Sequence, residues 1–343
     1  MGRAQQAADL LARGWSVGKI AEYWKVEKDS VRRYLSSAKQ YGLKSAQVVV
    51  ESRPAPPKKP EDVWTEMEVA TSNHLAESDT KNKARIRIDT DKPVGIAFIG
   101  DQHIGGMGVD MAAMRRDAEI IAATPNMFAI LGGDLLDNFI LRKMAHVSRD
   151  NRFSIEEQQR AALHYLDTLG PSLLAVTGGN HEAWTQKESG VDILARLVDQ
   201  CGQENLLYDP HRWRIELALG DYEYGIGIQH KAKGNSEINP TLGPKKALFL
   251  GVFDASTHVS VAFHTHTPSI ETIHWGENGR RLAIKGSTYK MRDVFGLEHG
   301  FPATASWIPS AFFWPDRFHY EGQVDVENAA GYLSYLQMED RRA

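Results

Sequence analysis

Five apolar runs in this chain end alike. Val94–Ile99 leads into Gly100-Asp101-Gln102-His103, and Phe128–Leu131 into Gly132-Gly133-Asp134. Leu173–Val176 leads into Thr177-Gly178-Gly179-Asn180-His181-Glu182. Tyr224–Ile228 ends at Gln229-His230, and Val259–Phe263 at His264-Thr265-His266. Short apolar runs stopped by glycine and polar residues read as buried strands. Helical patterns at 110–123 and 155–169 separate the first three. Strands alternating with helices predict an α/β fold with largely parallel strands. In such sheets the C-terminal edge is where ligands bind.

Each ending alone is ordinary. Asn180-His181 fits a polar turn after a core strand, and two core histidines can stand at the His264-x-His266 spacing, since strand side chains repeat every second residue. The set is the signal. Asp101, His103, Asp134, Asn180, His181, His230, His264 and His266 offer oxygen and imidazole ligands without thiolate. That mixture suits manganese, iron, zinc or magnesium. Eight such residues are too many for one ion and about right for two. Two ions bridged by a carboxylate commonly serve in-line displacement at phosphorus.

Asp101-Gln102-His103, Gly133-Asp134-Leu135-Leu136-Asp137, Gly179-Asn180-His181-Glu182, His230 and His264-Thr265-His266 resemble, in order, the five motifs of the calcineurin-like metallophosphoesterase superfamily. The resemblance covers about residues 93–270. It implies a four-layer αββα sandwich of two mixed sheets with two divalent ions, manganese foremost, at the strand ends. Asp101, His103 and His266 would hold the first ion, and Asn180, His230 and His264 the second. Asp134 would bridge them. His181 would stay off the metals and act at the scissile phosphate. Phe263 departs from the family, which usually has glycine there, and the expectation is a narrowed cleft or a shifted strand end. His211 competes with His230, but it follows Asp209-Pro210 rather than a strand.

Asp137 is followed by Asn138-Phe139, unlike the Asp-Arg-Gly of the protein Ser/Thr phosphatase branch. The repair-nuclease and phosphodiesterase branches fit better, although Glu182 stands where repair nucleases commonly have Asp. An insert, 138–154, carries Arg142, Lys143, His146, Arg149 and Arg152, and suits either a phosphate backbone or solvent. The tail from 271 is rich in aromatics, which chiefly complete the core or, alternatively, stack bases. Residues 270–290 read as a hairpin turning at Glu277-Asn278-Gly279.

Charge divides the chain. Residues 1–46 carry nine Lys/Arg against four acids, a surplus of five in a chain of net charge −4. A basic head on an acidic body points to a polyanion. Its apolar spacing predicts helices over 3–13, 17–24 and from about Asp29. Ala12–Leu35 resembles the helix-turn-helix of resolvase-like and sigma-like DNA-binding domains. That likeness puts Lys28, Ser30, Arg32 and Arg33 toward DNA.

Gln47 to about Pro60 is proline-rich and reads as an extended linker. Residues 61–84 follow as a polar helix or partly disordered stretch, and Arg85–Ile88 as an edge strand. The domains expected are a head, 1–46, a connector, 47–92, and a body, 93–343, with its motif core at 93–270. No apolar run reaches the roughly 20 residues a membrane helix needs. Cys201 is the only cysteine, so a reducing, cytoplasmic setting is expected, in a bacterial or phage-infected cell. The leading expectation is a DNA-directed, metal-dependent nuclease. The alternatives are a phosphoesterase acting on nucleotides or small esters, with the head a helical oligomerisation or partner-docking module, and a non-catalytic DNA-binding or assembly protein.

Overall fold

The computed structural model describes residues 2–43, 58–80, 82–140, 152–234, 236, 238–274, 279–291 and 307–339. The chain divides into two units, Met1–Ser72 and Asn73–Ala343.

The first unit opens with three helices, α1 (Arg3–Ala12), α2 (Val17–Trp24) and α3 (Lys28–Gln40). Gly14 turns the chain at φ 82°, a conformation that favours glycine. Ser16 then caps α2, its Oγ accepting the Lys19 N–H at 3.2 Å. Ile20, Ala21 and Val31 form the core, packed against Leu10, Trp15, Trp24 and Leu35. Lys28, Arg32 and Arg33 are exposed on α3, and Ser30 is half-buried. The division between the units falls inside α4 (Pro60–Thr80), a continuous helix, so the disordered alternative does not hold there. The proline-rich segment up to residue 57 lies outside the described residues.

The second unit is built on two six-stranded sheets. Its strands are β1 (Lys83–Ile88), β2 (Val94–Ile99), β3 (Met127–Leu131), β4 (Leu173–Thr177), β5 (Leu207–Asp209) and β6 (Arg212–Leu219). They continue with β7 (Tyr222–Gln229), β8 (Thr257–Ala262), β9 (Ser269–His274), β10 (Arg280–Lys285), β11 (Ser310–Phe313) and β12 (Tyr320–Gln323). One sheet runs β1-β6-β7-β8-β10-β9 and the other β12-β11-β2-β3-β4-β5. Parallel pairing is confined to β2 through β5 in the latter and to β1–β6, β7–β8 and β8–β10 in the former. Both sheets are therefore mixed. β1 is an edge strand and an integral part of the body, so the body begins before residue 93.

Period-two alternation sorts the side chains of β2. Val94, Ile96 and Phe98 face a core shared with Ile215, Leu217, Ile226, Val259 and Ile284 of the other sheet. Ala97 and Ile99 face the opposite way, toward four helices. These are α5 (Met111–Ala123), α6 (Ile155–Leu169), α8 (Ile193–Cys201) and α10 (Val326–Glu339). Helix α9 (Leu242–Phe249) covers β8 and β10 on the far side. The layers are thus helices, sheet, sheet, helix. The aromatic tail completes this core: Phe312, Phe313, Trp314 and Tyr320 are buried at β11 and β12, whereas Phe318 is exposed. Trp275, Phe295 and Phe301 lie outside the described residues. So do Arg142, Lys143, His146 and Arg149 of the basic insert, while Arg152 is exposed.

Candidate metal centre

The C-terminal ends of β2, β3 and β4 in one sheet meet those of β7 and β8 in the other. All seven expected ligands, Asp101, His103, Asp134, Asn180, His230, His264 and His266, come together there. His103 Nε2 and His266 Nε2 lie 3.1 Å apart, and His266 Nε2 is 3.4 Å from Asp101 Oδ1. His230 Nε2 is 3.2 Å from Asp134 Oδ2 and 3.1 Å from Asn180 Oδ1. Ligand atoms of Asp101, His103 and His266 fall within 4.8 Å of one another, as do those of Asp134, His230 and His264. His211, the competitor, is exposed, its backbone N–H held by Asp209 Oδ1 at 2.8 Å.

The backbone is bent to make this possible. Among the described residues nine non-glycine positions have positive φ, and five of them are Asp101, His103, Asp134, His264 and His266. Left-handed conformations cost energy for such residues and collect at functional sites. Gly179 permits a close approach: a Cβ there would sit 2.1 Å from Asp134 Oδ1. Helix α7 (Asn180–Ser189) starts immediately afterwards, so Asn180 and His181 stand on a first helical turn and not in an open loop. The His181 N–H donates to Asp134 Oδ1 at 2.9 Å, a favourable place for an anion.

The buried polar atoms fit a divalent cation. Asp101 Oδ1 has no hydrogen-bond donor among the described residues, yet it is fully buried. An orphaned carboxylate oxygen facing imidazole nitrogens suits a positive ion. Tautomers agree. His230 Nδ1 faces the Gly132 carbonyl oxygen at 2.8 Å, which can only accept, so Nδ1 carries a proton and Nε2 is the nitrogen turned to the site, where an ion would take the place of its proton. Burial lowers the His230 pKa, but Asp134 and Asp101 override it and raise it to about 9. Burial, then His230, pushes His264 down to about 4. Burial raises the Asp101 pKa, but His266 and His230 outweigh it and pull the carboxyl down to about 2.

His181 sits beside this set. Its Nδ1 donates to the Asp137 carbonyl oxygen, and its Nε2 is 3.8 Å from Asp134 Oδ2. Trp184 packs over the ring at 4.1 Å and Phe139 at 4.8 Å between centroids. Asn138 Nδ2 donates to the His181 carbonyl at 2.6 Å and closes the cage. Burial lowers the His181 pKa, favouring the neutral ring.

Three features escape the sequence. Glu182 is buried, and its carboxylate accepts N–H groups from Asp134, Leu136 and Gly179 at 3.0–3.1 Å. Burial and the Asp134 charge raise its pKa to about 7, against the pull of those donors. Asp137 pairs with Lys290, Nζ to Oδ1 at 2.7 Å. Phe263 does not line the cleft. Its ring is buried between the sheets, where Cβ atoms at Gly100, Gly132 and Gly286 would lie 2.3, 2.0 and 2.1 Å from it. A glutamate three residues after Gly179, placed to accept the N-cap N–H of a helix that follows a strand, was the available sign for Glu182. Nothing in the sequence marks Lys290.

No helix among the described residues is long and apolar enough to cross a membrane. The sequence matches no protein-family model and no curated protein. Among solved structures it is similar to Vps29 from Chaetomium thermophilum, at 11% identity over 67% of this chain and 97% of that one, with a TM-score of 0.33. A likeness of that size bears on neither site nor activity. What the structure itself supplies is a sandwich of two mixed six-stranded sheets carrying His/Asp clusters able to hold metal ions.

Proposed function

We propose that this protein is a two-metal phosphoesterase that hydrolyses phosphodiester bonds, with DNA brought to it by the three-helix head. The observation that carries this reading is that ligand atoms from five strand ends gather in neighbouring clusters, Asp101 with His103 and His266, and Asp134 with His230 and His264. Asp101, His103 and His266 would hold one ion, Asn180, His230 and His264 the other, and Asp134 both. When bound, such ions polarise a phosphoryl oxygen and lower the pKa of a water.

The chain's own groups do the rest. Asp134 and Asp101 balance the positive charge. The first turn of α7 directs N–H groups toward the site, and His181 holds its Nε2 there. With Nδ1 fixed on a carbonyl, Nε2 is the atom that carries or releases a proton beside a leaving oxygen. Phe139 and Trp184 keep that ring in place and exclude water from one side.

The DNA part rests on the surplus positive charge of residues 1–46 and on the exposed Lys28, Arg32 and Arg33 of α3. Arg32 pairs with Asp29 at 2.8 Å and Arg33 Nη2 reaches Ser30 Oγ at 3.2 Å. Exposed contacts of that kind are weak enough for phosphates to displace.

Purified protein is incubated with single- and double-stranded DNA and with bis(p-nitrophenyl) phosphate, with Mn²⁺ or with EDTA. Mn²⁺-dependent DNA cleavage, abolished in His181→Ala while metal binding persists, is expected. Cleavage of the small diester alone would move the function to nucleotides or small esters. DNA binding without hydrolysis of either would make the protein a non-catalytic binder.

A further inference from the structure

A sixth strand end reaches the site. After β10 the chain continues Gly286-Ser287-Thr288-Tyr289-Lys290-Met291, and this segment is laced onto the loop that follows β2. Thr288 Oγ1 donates to the Asp101 carbonyl at 2.5 Å and accepts the Lys290 N–H at 2.9 Å. The Asp110 N–H donates to the Tyr289 carbonyl at 2.8 Å, and the Met291 N–H to the Gly108 carbonyl at 2.9 Å. Tyr289 Oη donates to Asp117 Oδ2 at 3.0 Å. The backbone is therefore held on both sides of Lys290.

The Lys290 side chain is buried, at 7% exposure. Lysines are seldom buried so fully without a partner that offsets the lost hydration. Here Nζ stands 2.7 Å from Asp137 Oδ1 and 5.1 Å from the centroid of Phe139. The same Oδ1 faces His103 Nδ1 at 3.3 Å. His103, Asp137 and His181 form a third group of ligand atoms within 4.8 Å, like the two clusters beside it. This third group already has its cation, the Lys290 ammonium.

We propose that Lys290 is a positioning residue of the metal centre: its ammonium holds the Asp137 carboxylate against His103 Nδ1, which fixes the ring that presents Nε2 to the site. The inference rests on the two-metal reading above for its consequence, though not for its geometry. A carboxylate facing one imidazole nitrogen keeps the proton there and leaves the other nitrogen free to ligate. Asp137 performs this for His103 with its side chain. For His181 it uses its main-chain carbonyl instead. Without the lysine charge, the buried Asp137 carboxylate loses the cation that holds its Oδ1 in place, and His103 can turn or change tautomer.

The test uses the full-length protein and two readouts. Nitrogen-15 NMR of the metal-free protein reports the His103 tautomer, and calorimetric titration with Mn²⁺ reports affinity. Lys290→Met is expected to replace the single Nδ1–H form of His103 with a mixture and to weaken Mn²⁺ binding by about 10–100-fold. Asp137→Asn should do the same. Because Lys290 acts through Asp137, the double variant should bind Mn²⁺ no more weakly than Asp137→Asn alone. It removes both buried charges, so it also serves if Lys290→Met fails to fold. A Lys290→Met protein with the wild-type tautomer and affinity overturns the proposal, as does a double variant whose loss is the product of the single losses. Wild-type protein that binds no Mn²⁺ would remove the two-metal reading, and the tautomer readout would then decide the role of Lys290 by itself.

Discussion

Glu182 Oε2 accepts the Asp134 N–H at 3.1 Å while Oε1 accepts the Leu136 N–H at 3.0 Å. One carboxylate on α7 thus splices the end of β3 to the end of β4, and the Gly179 N–H completes the joint. Glu182→Gln puts an amide NH₂ against an N–H donor. At pH 8, where the wild-type group is chiefly anionic, the substitution is expected to cost about 1.5–3 kcal/mol. Denaturant unfolding of the metal-free protein measures this, and an unchanged midpoint would show that the splice carries no weight.

Phe263 and the glycines around it make a second test. Phe263→Ala should cost about 3–5 kcal/mol through the cavity it leaves. Gly132→Ala should cost about 1–3 kcal/mol by overpacking, since the new Cβ meets the ring at 2.0 Å. Phe263→Leu combined with Gly132→Ala should lose less than the two single changes together. Strict additivity in urea unfolding would mean that the ring and the glycine do not share one space.

His258 lies far from the metal centre, against Phe318 and Tyr320. Its Nδ1 accepts the Gly225 N–H at 2.8 Å, which requires a neutral ring. Burial, then Arg281, lowers its pKa from 6.5 to about 4. Between those values the unfolded chain binds the proton and the folded chain does not, so stability rises with pH. The contribution is complete above pH 6.5 and is lost as pH falls toward 4. His258→Asn keeps an acceptor without the titration. Its stability should change less than that of wild type between pH 7 and pH 4.5, and equal changes by chemical denaturation would refute this.

Removing one phosphate contact from the head should weaken DNA binding at every sequence alike. Lys28→Ala or Arg33→Ala is expected to make the slope of log affinity against log salt shallower by about 0.9. Fluorescence anisotropy with a short duplex at several salt concentrations reads the slope. If neither variant alters it, α3 does not face DNA.

The parts of the site legible in the sequence share a cause. β2, β3 and β4 are buried on both faces, so each reads as an unbroken apolar run with an abrupt polar stop. Asp101, Asp134 and Asn180 stand at those stops. β10 is just as central, but it ends in Lys285-Gly286-Ser287, which has no ligand chemistry to attract notice. Lys290 gains its meaning only from a carboxylate 153 positions earlier in the chain. In the sequence Glu182 bears only on the choice of branch, and its distances to three N–H groups reveal a structural acceptor. Phe263 was misplaced for a similar reason: period-two alternation gives its face of the strand, but not the three glycines that make room for the ring.

The expected ligands come from both sheets. Asp101, His103, Asp134 and Asn180 follow strands of one, and His230, His264 and His266 follow strands of the other. During synthesis the aspartates leave the ribosome well before the last histidines. A nascent chain can gather at most five of the seven ligands until β8 has joined its sheet, because His264 and His266 follow that strand. Any ion that needs all seven side chains becomes a fastener between the layers, and it stabilises only finished molecules.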